Sequence, residues 1–314
     1  MEPLLEVRDI SKIFRRHGQA DFTAVDEISF CLYPGETLGI VGESGSGKST
    51  TAGMIIRLID TTSGQIYLNG KDITHSKGRE LRDTYRELQM VFQSPTGSFD
   101  PRCTLGDGIG ESLRNRGLPR QETAARVETL LKQCGLPADY AKRYPHEVSG
   151  GQCQRAAIAR ALAIQPKILI CDEATSALDV TVQAQIIALL KTLQKERGMS
   201  YLFICHNLAL VQLFCDRVIV MYKGSIMESG ETAKVIAAPR HPYTKMLLSC
   251  LLTDSLEVEG KVPTLPADPE ADNNGCKFYM SCSGRKDMCK SVKPELIQRD
   301  GWEVACHLQL QPLL

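Results

Sequence analysis

The feature that most constrains this chain is a glycine-rich loop between an apolar strand and a helix. The loop, residues 42–49, reads Gly-Glu-Ser-Gly-Ser-Gly-Lys-Ser and follows the apolar run Thr37–Val41. In such a loop, backbone N–H groups turn toward phosphate oxygens, and the next helix points the positive end of its dipole at them. Lys48 adds a positive charge for the outer phosphates, and Ser49 a hydroxyl for Mg²⁺. This Walker A pattern predicts a phosphate site formed by Gly42, Glu43, Ser44, Gly45, Ser46, Gly47, Lys48, Ser49 and Thr50.

A second motif is an apolar strand, residues 168–171, that ends at two acids. This is the Walker B arrangement. Asp172 is expected to hold the Mg²⁺ shell, and Glu173 to orient or deprotonate the water that attacks the terminal phosphate. An Asp-Glu pair alone is a weak signal, because such pairs often cap helices. Its position downstream of a phosphate loop favours the catalytic interpretation.

A third motif is the run Val148-Ser149-Gly150-Gly151-Gln152, which begins a helix. The small residues let backbone approach a phosphate closely at a helix N-terminus, and Ser149 adds a hydroxyl. Taken alone, the motif is equally consistent with a simple helix cap.

Together these motifs resemble the ATP-binding subunits of ABC transporters. Residues 149–152 match the family's signature motif, with Val148 in place of the commoner leucine. Gln93 matches the Q-loop, residues 176–179 match the D-loop that ends at Asp179, and His206 matches the switch histidine. These motifs occur in the family's order over residues 4–230.

The resemblance implies that two subunits sandwich two ATP molecules head to tail, so that each phosphate loop faces the partner's signature. It implies a catalytic group of Glu173, His206 and Gln93, and Mg²⁺ bound near Ser49, Gln93 and Asp172. Phe14 is the best match for the aromatic residue that stacks on adenine, and Phe22 is the alternative.

Four cysteines, Cys276, Cys282, Cys289 and Cys306, lie together in a polar C-terminal segment after the ATP motifs. Four thiolates suit either an iron–sulfur cluster or a structural zinc site. The closely spaced cysteine pairs typical of zinc sites are absent, and four free thiols are a further alternative. A metal is expected to order this segment, because it has few apolar residues with which to form a core.

Residues 93–102 and 238–244 resemble one ABC subgroup, the peptide and nickel importers. In that subgroup a similar cysteine segment binds a 4Fe–4S cluster beside the motor domain. The resemblance therefore favours a cluster on the four cysteines over zinc. Ser283 stands where a proline is expected.

The resemblance also implies the fold. We predict an α/β P-loop ATPase core over residues 1–252, with a mixed, mostly parallel sheet, an antiparallel edge and a helical subdomain near 100–163. Residues 253–314 are predicted to form a linker, centred on 260–274, and a cysteine-rich C-terminal appendage with a regulatory or cluster-binding role.

Composition limits the class of partner. Lysine plus arginine equals aspartate plus glutamate, 37 against 37, so nothing supports nucleic-acid binding. No run is long and apolar enough to span a membrane, and no signal region begins the chain. We therefore expect a peripheral protein on the cytoplasmic face of the inner membrane.

The expected partners are a second, related ATPase as heterodimer partner, two transmembrane permeases and an extracytoplasmic solute-binding protein. The expected cargo is a di- or oligopeptide, with nickel or a metal chelate as the alternative. Soluble ABC proteins of translation usually carry two cores, and those of DNA repair carry long coiled coils, whereas this chain has one core and no heptads. A small-molecule kinase would lack the signature motif.

Overall fold

The core of the fold is a sheet of eight strands that is parallel in its middle. The computed structural model describes residues 1–15, 18, 21–94, 96–174, 178–253, 275–299 and 301–309. The predicted linker at 260–274 and residues 176 and 177 of the D-loop match lie outside the described residues. The strands are β1 (Leu5–Phe14), β2 (Phe22–Leu32), β3 (Thr37–Val41), β4 (Ser63–Leu68), β5 (Lys71–Asp72), β6 (Leu88–Val91), β7 (Ile168–Asp172), β8 (Ser200–Cys205), β9 (Arg217–Tyr222), β10 (Ser225–Glu231), β11 (Ile297–Arg299) and β12 (Trp302–Val304).

The strand order of this central sheet is β11-β12-β10-β9-β3-β8-β7-β6. Neighbours from β9 to β6 run parallel, whereas the pairs β9–β10, β10–β12 and β11–β12 are antiparallel. A second, antiparallel sheet has the order β2-β1-β4-β5. The predicted mixed sheet with an antiparallel edge is therefore confirmed.

Alternate residues of the central strands face two separate cores. In β7, Ile168 and Ile170 pack with the antiparallel sheet and the first helix. Leu169 and Cys171 pack on the opposite face, toward the helical part of the molecule. Both faces are apolar because a parallel sheet is covered on both sides.

The helices surround this sheet. They are α1 (Lys48–Ile55), α2 (Gly78–Glu87), α3 (Leu105–Arg114), α4 (Arg120–Gln133), α5 (Gly150–Leu162), α6 (Val180–Arg197), α7 (Leu208–Phe214), α8 (Thr232–Ala237), α9 (Pro242–Thr253) and α10 (Met288–Ser291). α3, α4 and α5 pack on one another through buried residues such as Ile109, Leu130 and Ile158, at the position of the predicted helical subdomain. Thr104 and Asp107 form a capping box that fixes the start of α3.

The C-terminal segment differs from the appendage that its polar composition suggests. β11 and β12 extend the central sheet, because β12 pairs with β10. Trp302, Val304 and Phe278 are buried against the main core and supply apolar surface to a segment that is otherwise largely polar. The sheet, and not a metal alone, therefore helps to order this segment.

Candidate active site

The carboxyl ends of the parallel strands bring the sequence motifs together. The phosphate loop follows β3, and Glu173 follows β7; Gln93 lies just beyond β6, and His206 directly follows β8. The register pairs Val41 with Cys205 and Asp172 with Ile204, so these strand ends are level. Side chains from four strands therefore meet at one edge of the sheet, where ligands of open α/β sheets bind.

Two glycines give the phosphate loop its shape. Gly42 and Gly47 have φ angles of 153° and 102°. A Cβ atom at Gly42 would lie 2.1 Å from the carbonyl oxygen of Met221, and one at Gly47 would lie 2.5 Å from that of Ala24. Neither position has room for a side chain, so the loop keeps its backbone open toward the bound group.

The ammonium of Lys48 is turned into this loop. Its Nζ donates to the carbonyl oxygens of Gly42 at 2.7 Å and Glu43 at 2.8 Å, and the residue is only 4% exposed. Burial lowers the pKa of Lys48, while the carboxylates of Glu173 and Asp172 act in the opposite direction. A buried ammonium with only dipolar partners gains from an anion, which the loop is shaped to hold.

Ser49 and Asp172 form a pair suited to Mg²⁺. The Ser49 hydroxyl donates to Oδ1 of Asp172 at 3.0 Å. Burial raises the pKa of Asp172, whereas the hydrogen bond from Ser49 lowers it. Mg²⁺ is commonly held by one or two carboxylates together with phosphate oxygens, so these two adjacent oxygens fit the ion.

Glu173 is the point where the remaining motifs meet. Gln93 donates from Nε2 to its Oε2 at 2.7 Å, and Nδ1 of His206 lies 3.9 Å from its Oε1. The backbone of Glu173 has a φ of 47°, in the left-handed region that costs energy for a residue with a side chain. The three residues predicted to be catalytic therefore lie together, and the strained backbone aims the carboxylate.

The signature residues and Asp179 lie at the starts of two helices. Ser149 caps α5, accepting the N–H of Gln152 at 3.3 Å, while Oε1 of Gln152 accepts the N–H of Ser149 at 2.9 Å. Ser149 and Gly150 are exposed. Asp179 caps α6 through the N–H of Val182 and is also exposed. In the described part of the chain, no hydrogen bond joins Ser149 or Asp179 to the phosphate loop.

The two candidates for adenine stacking are neighbours. Phe14, the last residue of β1, is directly paired with Phe22, the first residue of β2, and the two are 38% and 44% exposed. Residues paired in this way share one face of a sheet. One adenine can therefore reach both rings, and the pairing does not favour either residue.

The four C-terminal thiols lie near one another. Burial, together with smaller contributions from the thiols of Cys289, Cys306 and Cys282, raises the pKa of Cys276 to about 11. The N–H of Cys276 donates to the carbonyl oxygen of Cys289 at 2.8 Å. Among the residues that the structure describes, no group of three or more Cys, His, Asp or Glu side chains is placed to hold a single metal ion.

Four thiols gathered in one segment are a ligand set that either a zinc ion or a 4Fe–4S cluster uses. The donor set therefore fits both groups.

One contact of the phosphate loop was not anticipated from the sequence. The N–H of Glu43 donates to the phenol oxygen of Tyr243 at 3.0 Å, across a sequence separation of 200 residues. Tyr243 belongs to α9. In the sequence, the first residues of α9 indicate only a family resemblance and no contact with the loop. No local pattern could have placed it behind the loop.

No helix within the described residues has the length and apolar character needed to cross a membrane.

Two family models match the chain. One is described as ABC transporter and matches residues 25–176. The other is described as oligopeptide/dipeptide transporter, C-terminal region, and matches residues 227–289. The second match covers most of β10, all of α9 and three of the four clustered cysteines.

Similar proteins from Brucella extend over nearly the whole chain. One from Brucella abortus (strain 2308), named "Putative peptide import ATP-binding protein", is 45% identical over 298 residues, which are 93% of this chain and 88% of its own. Another of that name, from Brucella ovis, is 42% identical over 313 residues, which are 97% of each chain.

Solved structures share the core fold. A dimeric ATP-binding cassette in a post-hydrolysis state, bound to ADP and phosphate, has a TM-score of 0.68 and 29% identity, over 73% of this chain and 98% of its own. The protein cbiO1 from Clostridium perfringens, part of an ABC transporter complex, has a TM-score of 0.67 and 27% identity, over 82% of this chain and 96% of its own. The α/β core predicted from the sequence is confirmed by these likenesses.

Proposed function

Since the chain belongs to the ATP-binding subunits of ABC transporters, we propose that it drives the uptake of di- or oligopeptides. The chain is an ATP hydrolase, and the observation that carries its mechanism is the meeting of Gln93, Glu173 and His206 beside the phosphate loop. Glu173 is assigned as the group that orients or deprotonates the attacking water, and His206 as the contact to the terminal phosphate.

The nucleotide site is assigned to the loop and its surroundings. The loop amides and Lys48 bind the phosphates, and Phe14 or Phe22 stacks on the adenine. Ser49, Asp172 and Gln93 hold the Mg²⁺, which neutralises phosphate charge when bound. The signature residues, Ser149 to Gln152, of which Ser149 and Gly150 are exposed, and Asp179 complete the site of a partner subunit, so two ATP molecules lie in one dimer interface.

The domain boundaries are part of this proposal. Residues 1–252 form the ATPase unit with its helical subdomain near 100–163, and residues 253–314 form the C-terminal unit. The pairing of β12 with β10 supports a C-terminal unit that is docked on the ATPase unit.

The proposed assembly has two permeases, a solute-binding protein and a second, related ATPase, at the cytoplasmic face of the inner membrane. The support is the peptide-import name of the Brucella relatives and the match of residues 227–289. Neither favours nickel, which was the alternative cargo, and neither favours a non-transport role.

The test is purification of the tagged full-length chain in mild detergent, followed by reconstitution of the complex that comes with it. We expect ATP turnover in vesicles to rise with peptide-loaded binding protein and not with Ni²⁺. The variant Glu173→Gln reconstituted in parallel serves as the inactive control. Recovery without any permease, or stimulation by Ni²⁺ alone, would overturn the peptide-import assignment.

The four cysteines are proposed to hold a 4Fe–4S cluster with a structural or regulatory role. Support comes from the gathered thiols and the subgroup resemblance. Anaerobic purification should give brown protein with about four irons per chain. The proposal is contradicted if the protein is colourless and contains zinc, or if it is metal-free and its four thiols are readily alkylated. Replacing Cys289 with serine should remove the colour while the chain stays folded.

A further inference from the structure

The hydroxyl of Tyr243 is bonded to the peptide group that also holds Lys48. The N–H of Glu43 donates to this hydroxyl, while the carbonyl oxygen of Gly42 accepts the Lys48 ammonium at 2.7 Å. That N–H and that carbonyl belong to one planar peptide unit, in which they point in opposite directions. Fixing the N–H from behind the loop therefore fixes the direction of the carbonyl at its front.

Tyr243 is itself held by a buried chain of hydrogen bonds. Its ring is fully buried, and its N–H donates to Nδ1 of His241 at 3.0 Å. The N–H of His241 donates to Oε2 of Glu228 at 2.9 Å, and Glu228 is also fully buried. Glu228 lies on β10 of the central sheet. This chain of hydrogen bonds therefore fixes the position of Tyr243 relative to that sheet.

The C-terminal segment also contacts this buried chain of residues. Phe278, which lies between Cys276 and Cys282, packs its ring 5.4 Å from that of Tyr243 and 5.8 Å from that of His241. Trp302 donates from Nε1 to Oε1 of Glu228 at 2.8 Å. The sequence predicts that the cysteine segment is an appendage. In the structure, its Phe278 and Trp302 contact the residues that hold Tyr243 behind the phosphate loop.

We propose that Tyr243 is a positioning residue for the phosphate loop, and that the C-terminal segment, through Phe278, holds Tyr243 in place. Tyr243 acts through the loop backbone, by keeping the 42–43 peptide turned so that Lys48 points into the loop. The inference rests on the proposed binding of ATP by this loop. The cysteine segment then influences the affinity of the phosphate loop for ATP, whichever group its thiols hold.

The test is ATP binding by Tyr243→Phe, which removes the hydroxyl and keeps the ring. One neutral hydrogen bond corresponds to about a two- to tenfold change in an equilibrium. We expect the Kd and KM for ATP to rise by about this factor, with kcat within about twofold of wild type, because Glu173 is untouched. A merely structural role would instead lower the melting temperature and leave the Kd unchanged, which would overturn the inference.

Two further variants test the specificity of the Tyr243 hydroxyl and the role of Phe278. Tyr222→Phe is the matched control, since that ring lies 4.7 Å from Tyr243, and its Kd should equal that of wild type. Phe278→Leu should raise the Kd in the same direction. In the double variant with Tyr243→Phe, the Phe278 change should add little, because it acts through the hydroxyl that is already gone. Full additivity contradicts the role of Phe278.

Failure of the proposed function has a different signature. If the wild-type chain does not bind ATP, or Lys48→Ala binds it as well as wild type does, the loop is not the nucleotide site. If Lys48→Ala loses binding while Tyr243→Phe matches wild type, the site stands and the inference about Tyr243 is wrong.

Discussion

Glu173 is held by two separate parts of the chain, the end of β8 and the segment after β6. Its N–H donates to the carbonyl oxygen of Ile204, and its carboxylate meets Gln93 and His206. A left-handed backbone at a residue with a side chain costs about 1–3 kcal/mol. Contacts on both backbone and side chain offset that cost, and the result is a carboxylate with one defined direction. A carboxylate fixed in one direction is suited to orient an attacking water molecule.

The replacement Glu173→Gln tests that role. The amide keeps the size of the side chain but cannot accept a proton, so we expect steady-state ATP turnover to fall at least about 100-fold. Equilibrium binding of ATP should persist, because Lys48 and the loop are unchanged. Turnover above about a tenth of the wild-type rate contradicts the general-base role.

His241 should make the stability of the fold depend on pH. Burial lowers the pKa of His241 to about 4, from 6.5 in the unfolded chain. Between these values the unfolded chain binds more protons, so the free energy of unfolding falls as the pH falls from 6.5 toward 4. From pH 7 to pH 5 this residue should cost about 2 kcal/mol.

Urea unfolding of wild type and His241→Asn at both pH values measures this contribution. Asparagine offers an acceptor near the Nδ1 position but does not titrate. The variant should therefore lose about 2 kcal/mol less than wild type over that interval. An equal loss in both proteins shows that His241 is not the titrating group.

At the scale of elements, β10 joins the ATPase unit to the C-terminal segment. Glu228 accepts the N–H groups of Arg240 and His241 at the start of α9, and the indole N–H of Trp302 from β12. Arg240 also stacks over the Trp302 ring at 4.2 Å. One buried carboxylate therefore connects three elements, and it needs each donor because no water surrounds it.

The variant Trp302→Phe removes one of those donors. Leaving a buried carboxylate oxygen short of a partner costs about 1–3 kcal/mol, so we expect the free energy of unfolding to fall by that amount. Chemical denaturation followed by circular dichroism measures it. Gln298→Ala, at an exposed position of neighbouring β11, is the control and should change stability by less than about 0.5 kcal/mol. Similar values for both variants contradict the role given to Glu228.

The sequence predicts some elements much better than others, for physical reasons. β3 has the predicted bounds and β7 is one residue longer than predicted, because buried parallel strands are continuous apolar runs. α2 was missed because its sequence is almost wholly polar, and β4 because only alternate residues are buried. β12 and Tyr243 act through partners far along the chain, which no local pattern reveals.

The same difference holds within the site. Gln93, Glu173 and His206 each follow an apolar strand, so their meeting follows from the parallel sheet. The choice between Phe14 and Phe22 does not follow, because the two rings are paired on one face. The binding and catalytic roles of these residues stay predictions.

At the scale of the whole molecule, the residues of the proposed nucleotide site differ in their exposure. Lys48 is buried in its own loop, whereas Ser149 is exposed at the start of α5. Val180, next to Asp179, is 81% exposed. Exposed apolar and capping residues near the proposed partner surface agree with a site that a second subunit completes.

The variants Lys48→Ala and Ser149→Arg should therefore fail in different ways. Losing the ammonium should weaken ATP binding to the monomer by about 10- to 100-fold, since hydrogen bonds to charged groups are the stronger kind. Ser149→Arg should leave monomer binding intact and block ATP-dependent dimers of the Glu173→Gln protein, measured by light scattering. Ser149→Ala is the control for bulk. Equal loss of monomer binding in both variants contradicts a shared site.

The pairing of β12 with β10 also decides which strand ends the central sheet. Without the C-terminal segment, part of the seven-residue strand β10 would present unpaired N–H and C=O groups to solvent. The outermost strand is instead β11, which has three residues, two of them exposed and polar. A short polar edge is a poor template for another chain. We therefore expect the segment to protect the protein from self-association, and a version that ends before it to be more prone to aggregation.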